Sequence, residues 1–370
     1  MKIIAIVPKL FDYLVSAIIE GLYKNNVNII ASEPGNNVRK VYSKKEIIEH
    51  SKDADYILVF TGKVKGNIPP KYFLLDKINR PSITAFVDGS EWTYSSFPEK
   101  NQITESLKNP IRRKGKKWIN KRLFNYCRWY FKRECYPEDA KKGIIPLLFA
   151  AEDIYFGNYD YEKNIDVFCS FGQKRTGLRQ KVENVCRKLE RKGYNIVIKS
   201  GLSYEKYKKL ISSSYISIDA WGGGDCNAKI WEIFANKSCC FSQKYNILFP
   251  HSFTDGYNYV EYSTIEEFED KLRYYLKNKE KCLEIAERGY QHLLKYHTSK
   301  QRAKLILDIL ENENKTKKFD YNKKHSVGKI FYLNVILNSF IKDPRNIIRY
   351  LMNVFQELKF RIRKNKLKKN

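Results

Sequence analysis

Strand-length apolar runs alternate with helical stretches along most of this chain, and that alternation limits the fold more than any other feature. Lys2 to Pro8 is a short apolar run, and Phe11 to Tyr23 follows with Leu14, Ile18, Ile19 and Leu22 at helical spacing. Val27 to Ala31, Tyr56 to Phe60 and Ser82 to Val87 read as further strands, and Tyr42 to Ser51 as a helix. The pattern then breaks and resumes. Ile165 to Phe171, Tyr194 to Lys199, Tyr215 to Ala220 and Ser238 to Ser242 are strands; Leu178 to Lys192, Tyr204 to Ser212 and Lys229 to Asn236 are the helices between and after them. Helices over Ile265 to Lys277, Lys279 to Leu294 and Thr298 to Leu310 close the pattern, with Thr298 as an N-cap. Such alternation implies parallel sheets covered by helices. The fold class is therefore α/β, with two Rossmann-like domains over 1–145 and 146–311. Ile144 to Phe149 forms the crossover between them, and 312–370 is a basic helical extension.

The net charge of +28 is confined to two places. Lys108 to Arg133 holds eleven basic residues and no acidic one, and Lys315 to Asn370 has a net charge of +13. Together they carry +24, so the remaining chain is close to neutral, as an ordinary globular fold is. The first segment, 108–133, reads as an insertion in which charge is interleaved with Trp118, Phe124, Tyr126, Trp129, Tyr130 and Phe131. The second contains a good helix start at Asp343-Pro344, then an apolar stripe through Ile347, Ile348, Leu351, Val354, Phe355, Leu358 and Ile362. Arg345, Arg349, Lys359, Arg361 and Arg363 flank that stripe, making a basic amphipathic helix. Aromatics beside cations suit a membrane interface with anionic lipid. The alternative for the tail is packing of its stripe on the first domain. The longest apolar stretch, Ile330 to Ile341, is too short to span a bilayer and contains Asn334 and Asn338. With no secretory signal, the eight cysteines read as reduced thiols. There is no Cys-x-x-Cys pair, and Cys239-Cys240 reads as two buried strand thiols. The expectation is a cytoplasmic protein, peripheral on the inner leaflet.

Two turns carry candidate chemistry. Ile216 to Glu232 runs from a strand through Gly222, Gly223 and Gly224 into a helix, where Lys229 and Glu232 share a face at i and i+3. Glycines let a backbone approach a ligand, and amides opening a helix suit phosphate. Lys229 can neutralise a diphosphate, and Glu232 can accept from two ribose hydroxyls. The bland reading is a flexible turn with a solvated Lys–Glu pair. The second turn, Ser170-Phe171-Gly172-Gln173-Lys174-Arg175-Thr176-Gly177-Leu178-Arg179, repeats the strand, glycine and helix order with three basic residues. In a parallel sheet both turns open on the carboxyl edge of the strands, so together they make a better diphosphate site than either alone. In the first domain, Asp88 and Glu91 follow a strand at the same edge and are candidates for a general base or for holding acceptor hydroxyls. The plainer reading of these two is a capped turn. Asp53-Ala54-Asp55 has the form of a metal-holding Asp-x-Asp, but an aspartate before a strand more often terminates a turn. Phe249-Pro250-His251 and Asp255-Gly256 mark a loop in reach of a lid role. The turn after the first strand has no glycine, which disfavours a dinucleotide-binding dehydrogenase, and GxxxxGK[ST] and HExxH are absent. The five histidines do not cluster as metal ligands.

The second half resembles the B-type glycosyltransferases, and within them the bacterial group 1 and spore-maturation-type sugar transferases. The resemblance covers about residues 140 to 310 and runs through Ile145-Pro146-Leu147-Leu148-Phe149, Asp166 to Gly172, Tyr207 to Ala220, Lys229-Ile230-Trp231-Glu232-Ile233-Phe234-Ala235, Phe253 to Gly256, His297-Thr298 and Arg302. It implies transfer of a sugar from a nucleoside-diphosphate donor, and the basic segments make a cell-surface glycan or lipid-linked acceptor the expectation. It implies that Glu232 holds the donor ribose and that Lys174, Arg175, Arg179 and Lys229 hold the diphosphate. No metal or other cofactor is implied, because basic groups stabilise the departing diphosphate. The family usually has Arg in place of Lys229 and Gly in place of Asn236, and the histidine used by some inverting members has no counterpart before His50. Two other classes compete. One is a catalytically silent relative that acts as a scaffold on membrane or another polyanion. The other is a nucleic-acid binder, which net charge alone suggests and for which no reader motif is present.

Overall fold

The computed structural model describes residues 1–61, 71–89, 121–157, 161–172, 177–222 and 225–312. The first unit contains β1 (Lys2–Ile6), α1 (Tyr13–Lys24), β2 (Asn28–Ala31), α2 (Lys44–His50), β3 (Tyr56–Thr61), α3 (Phe73–Ile78), β4 (Thr84–Asp88), α4 (Lys121–Tyr126), β5 (Trp129–Lys132), α5 (Pro137–Ala140) and β6 (Ile145–Pro146). Its strands form one parallel sheet in the order β2-β1-β3-β4-β5-β6. The second contains β7 (Ile165–Cys169), α6 (Leu178–Glu190), β8 (Ile196–Ile198), α7 (Tyr204–Ser212), β9 (Ser214–Ile218), α8 (Lys229–Ala235), β10 (Cys239–Gln243), β11 (Val260–Tyr262), α9 (Ile265–Lys277), α10 (Lys279–Tyr296) and α11 (Ser299–Glu311). Its sheet is also parallel, in the order β11-β10-β9-β7-β8. The α/β class and the doubled Rossmann-like plan expected from the alternation are both present.

The strands form because their apolar runs are covered on both faces, as a parallel sheet requires. Ile3 to Ile6 and Ile57 to Phe60 are fully buried. The same requirement corrects the reading of 108–133. Residues 129–132 are not an interfacial segment but strand β5, paired with β4 and β6. Tyr126, Trp129, Tyr130 and Phe131 are buried side chains of the first domain. Lys132 and Arg133 are buried with them, with Lys132 3.3 Å from Asp88. None of these groups can reach a lipid surface. Trp118 and the rest of 108–120 lie outside the described residues, as does the tail helix.

The two halves are tied by paired crossings. The Ala151 amide donates to the His297 carbonyl at 2.8 Å, and Ser299 returns a bond to the Ala151 carbonyl at 2.8 Å. The second crossing delivers α11 onto α1, so the last described helix packs on the first domain rather than on the sheet that precedes it. Gly21 permits the approach: a β-carbon there would collide with the Ser299 carbonyl oxygen and lie 2.8 Å from the Ala303 Cβ. One apolar cluster then runs from the first sheet through Leu147, Leu148 and Phe149 to Trp231 and Phe234 of α8 and Ile306 of α11. The helix carrying Lys229 and Glu232 is thus seated in a core shared by both halves.

Candidate donor site

In the second sheet β7 lies beside β9, and the chain leaves them towards opposite edges, β7 to β8 and β9 to β10. The carboxyl ends of such a strand pair flank a crevice in which ligands of open α/β sheets bind. The turns after these two strands are the two that carry the glycines. Gly172 borders open space, since a β-carbon there would meet nothing within 4 Å. Gly222 is different: a β-carbon would sit 2.6 Å from Arg179 Nη2 and 2.9 Å from Asn227 Oδ1. With glycine here the Arg179 guanidinium passes close to the turn without displacement of either side chain.

Arg179, near the start of α6, donates to the Ala220 carbonyl from Nε at 3.3 Å and Nη2 at 3.1 Å. Lys229, opening α8, donates to the Ser170 carbonyl. Both cations flank Phe171, at 5.3 Å and 4.6 Å from its ring centroid. Burial holds both below their ordinary pKa values, with the charge of Asp219 acting in the opposite direction. The structure therefore joins Gly172, Arg179, Gly222 and Lys229 around one pair of turns. Lys174, Arg175, Gly223 and Gly224 lie outside the described residues.

Glu232 shares the less buried side of α8 with Lys229, because Ile230, Trp231, Ile233 and Phe234 take the buried side. Its carboxylate is held by two tyrosines of α7: Tyr207 donates to Oε2 at 2.9 Å and Tyr204 to Oε1 at 3.2 Å. Their rings stack with centroids 6.1 Å apart. Burial raises the Glu232 pKa, while Tyr207, the Lys229 charge and Tyr204 restrain the rise. Each oxygen accepts one tyrosine bond and has a further lone pair for a ligand hydroxyl. These tyrosines were missed in the sequence, where their only signal is i and i+3 spacing on one helix. Tyr13 of the first domain also faces this group: burial raises its pKa, and the Glu232 charge adds to the rise. Asn236, in place of the family glycine, donates to the Tyr155 carbonyl at 2.8 Å and the Glu232 carbonyl at 2.7 Å. It ties the end of α8 to the interdomain segment.

The remaining candidates separate. Asp88 is a buried ion-pair residue rather than an accessible base: its Oδ2 accepts from the Tyr130 hydroxyl at 2.6 Å and pairs with Lys132, at 3% exposure. A base for an incoming hydroxyl must be reached by it, and this carboxylate is closed off. Glu91 lies outside the described residues. Asp53 pairs with Lys2 Nζ at 2.5 Å and Asp55 accepts from the Lys2 amide at 2.7 Å, both before β3 at the amino end of the first sheet's strands. The Phe249 to His251 loop is anchored rather than a lid. Phe249 packs on Trp231, and the His251 carbonyl accepts from His292 and His297 Nε2, each at 3.0 Å. Arg302 donates to His297 Nδ1 at 2.8 Å, which fixes the proton on Nε2.

Residues 162–308 match the family model described as glycosyl transferase-like. Residues 162–308 thus form a glycosyl transferase-like domain, and the chain has the fold of the B-type glycosyltransferases. No curated protein matches it in sequence. The solved structures it is similar to include an alpha-glucosyltransferase in complex with UDP and a 13-mer DNA, at 11% identity and TM-score 0.52, covering 84% of this chain and 100% of the other. A glycosyltransferase from Rickettsia africae gives 12% identity and TM-score 0.51, with 84% and 97% covered. Anabaena HepE in complex with UDP and glucose gives 8% identity and TM-score 0.51, with 84% and 99% covered. The resemblance read from the second half of the sequence is borne out, and the fold extends it to the first half. Among the described residues no helix is long and apolar enough to cross a membrane.

Proposed function

We propose that this glycosyltransferase binds a nucleoside-diphosphate sugar at the crevice between β7 and β9 and transfers the sugar to a glycan or lipid-linked acceptor. The observation that carries the reading is the half-buried Glu232 carboxylate, oriented by Tyr204 and Tyr207 beside two cation-bearing turns. A carboxylate held this way accepts from the two hydroxyls of a ribose. Arg179 and Lys229 then lie one helical turn or one strand away, where the diphosphate follows the ribose. Lys174, Arg175, Gly223 and Gly224 belong to the same turns by sequence. On this reading the cations stabilise the charge that develops on the departing diphosphate, so no metal is needed. The UDP in the similar structures makes uracil the first base to test.

The acceptor is proposed to be presented at an anionic inner-membrane surface. Support comes from the charge left over once Lys132 and Arg133 are taken into the core: 108–120 and 315–370 remain strongly basic. A thermal-shift panel of UDP, GDP, ADP, CDP and their sugars, run beside Glu232→Ala, tests the donor reading. A ligand bound only by the folded state stabilises it by about 2.7 kcal/mol at a hundredfold excess over Kd. A shift with one nucleotide family, lost in the variant, is expected. No shift with any nucleotide would refute it and leave the silent scaffold.

A further inference from the structure

The donor turn is held from outside its own domain. After β5 the first-domain chain runs through Arg133, Glu134 and Tyr136, and each makes a bond to the segment that leads into α8. Glu134 Oε1 accepts from the Asp225 amide at 2.8 Å. The Tyr136 hydroxyl donates to Asp225 Oδ2 at 2.6 Å. Arg133 Nη2 donates to the Cys226 carbonyl at 3.1 Å. Arg133 and Glu134 are fully buried and lie 3.6 Å apart, and the Arg133 guanidinium rests 4.1 Å over the Phe149 ring. The neighbouring Cys135 carbonyl accepts from Leu248 of the second domain at 2.7 Å. From its own domain, the Asp225 carbonyl accepts from Gln243 Nε2 at 3.3 Å.

Buried charged groups are costly unless their partners are fixed, so they serve register better than bulk stability. Here they fix an amide, a carboxylate and a carbonyl in two consecutive residues. We propose that Arg133, Glu134 and Tyr136 are positioning residues of the donor site, contributed by the first domain, which set the turn before Lys229 for a nucleoside diphosphate. Diphosphate affinity then depends on how the first domain grips Asp225 and Cys226. Nucleoside affinity, which rests on Glu232, does not. The proposal rests on the donor reading above and names the residues that make the site an interdomain one.

The test uses the full chain with UDP and uridine, read by calorimetry and by ligand-observed NMR for the weaker nucleoside. Tyr136→Phe deletes one hydroxyl. It should weaken UDP about tenfold, the typical worth of a hydrogen bond to a charged group, and leave uridine unchanged. Asp225→Ala should weaken UDP at least as much, and the double variant no more than Asp225→Ala alone, because that variant already removes the Tyr136 bond. Equal weakening of UDP and uridine, no weakening of either, or additive losses in the double variant would overturn the proposal. If the wild-type chain binds neither UDP nor the other nucleoside diphosphates, the donor reading itself fails. Melting of each variant without ligand identifies one that is simply unfolded. In that event Glu134→Gln, which keeps an oxygen for the Asp225 amide, must still bind UDP within about threefold of wild type, or the proposal falls.

Discussion

Replacing Glu232 by Gln should weaken the donor and stabilise the empty protein at the same time. The side chain keeps its length, but one acceptor oxygen becomes an NH2 donor. In the structure each oxygen already serves one tyrosine, so at the replaced oxygen the tyrosine hydroxyl turns to accept from the NH2, while the ligand hydroxyls lose their anionic acceptor. A hydrogen bond to a charged group nets about 1.5–3 kcal/mol, which is roughly ten- to hundredfold in Kd. Stability moves the other way. Burial raises the Glu232 pKa above the usual 4.5 despite Tyr207, Lys229 and Tyr204. The folded chain therefore binds the extra proton first, and stability falls as pH rises from 4.5 through the folded pKa. Above that interval the penalty is complete, and Gln removes it. Thermal unfolding should show a higher Tm for Glu232→Gln near neutral pH, with the gain shrinking as the buffer is acidified towards the ordinary glutamate value. Nucleotide titration of the same samples gives the affinity. A lower Tm at neutral pH, or unchanged nucleotide affinity, would refute the argument that this carboxylate is a strained binding group.

Three other outcomes follow from the packing and the charge. Gly21→Ala forces α1 and α11 apart and should cost about 1–3 kcal/mol, seen as a lower Tm, whereas no change would mean α11 is not docked on α1. Asp88→Asn removes the charge paired with buried Lys132 and should cost about 3 kcal/mol or more in unfolding experiments, with turnover per folded molecule kept; loss of turnover in a stable variant would restore Asp88 as a catalytic group. In vesicle flotation, replacing Arg345, Arg349, Lys359, Arg361 and Arg363 by Gln should reduce binding to anionic vesicles by about 1 kcal/mol per charge near the surface. Equal binding to neutral vesicles, or none by the wild type, would remove the membrane proposal.

The sequence exposed what depends on local period. The strands Lys2–Ile6, Tyr56–Thr61, Ile165–Cys169 and Ser214–Ile218 and the helices after them are legible because apolar spacing is set by each element alone. Trp129–Lys132 misled for a physical reason: a strand buried on both faces has no alternation, and ended by Lys and Arg it looks like an interfacial segment. Its cations are neutralised by groups distant in the chain, such as Asp88, which no local pattern reveals. The site behaved likewise. Lys229 and Glu232 were visible from their i and i+3 spacing, but Tyr204 and Tyr207, and the Tyr136 and Glu134 grip on Asp225, arise from tertiary juxtaposition. The crossing of α11 left one trace, Gly21 inside an otherwise amphipathic helix, where a glycine marks close backbone approach.

The central claim is that the crevice between β7 and β9 is the donor site. A crystal structure of the chain with the nucleoside diphosphate it binds best tests this most directly. The account predicts ribose hydroxyls within hydrogen-bond distance of Glu232 and the diphosphate against the 170–172 and 220–229 turns, with Arg179 and Lys229 turned from their carbonyls onto its oxygens. A nucleotide bound elsewhere, or in the crevice with Glu232 still engaged only by Tyr204 and Tyr207, would contradict it.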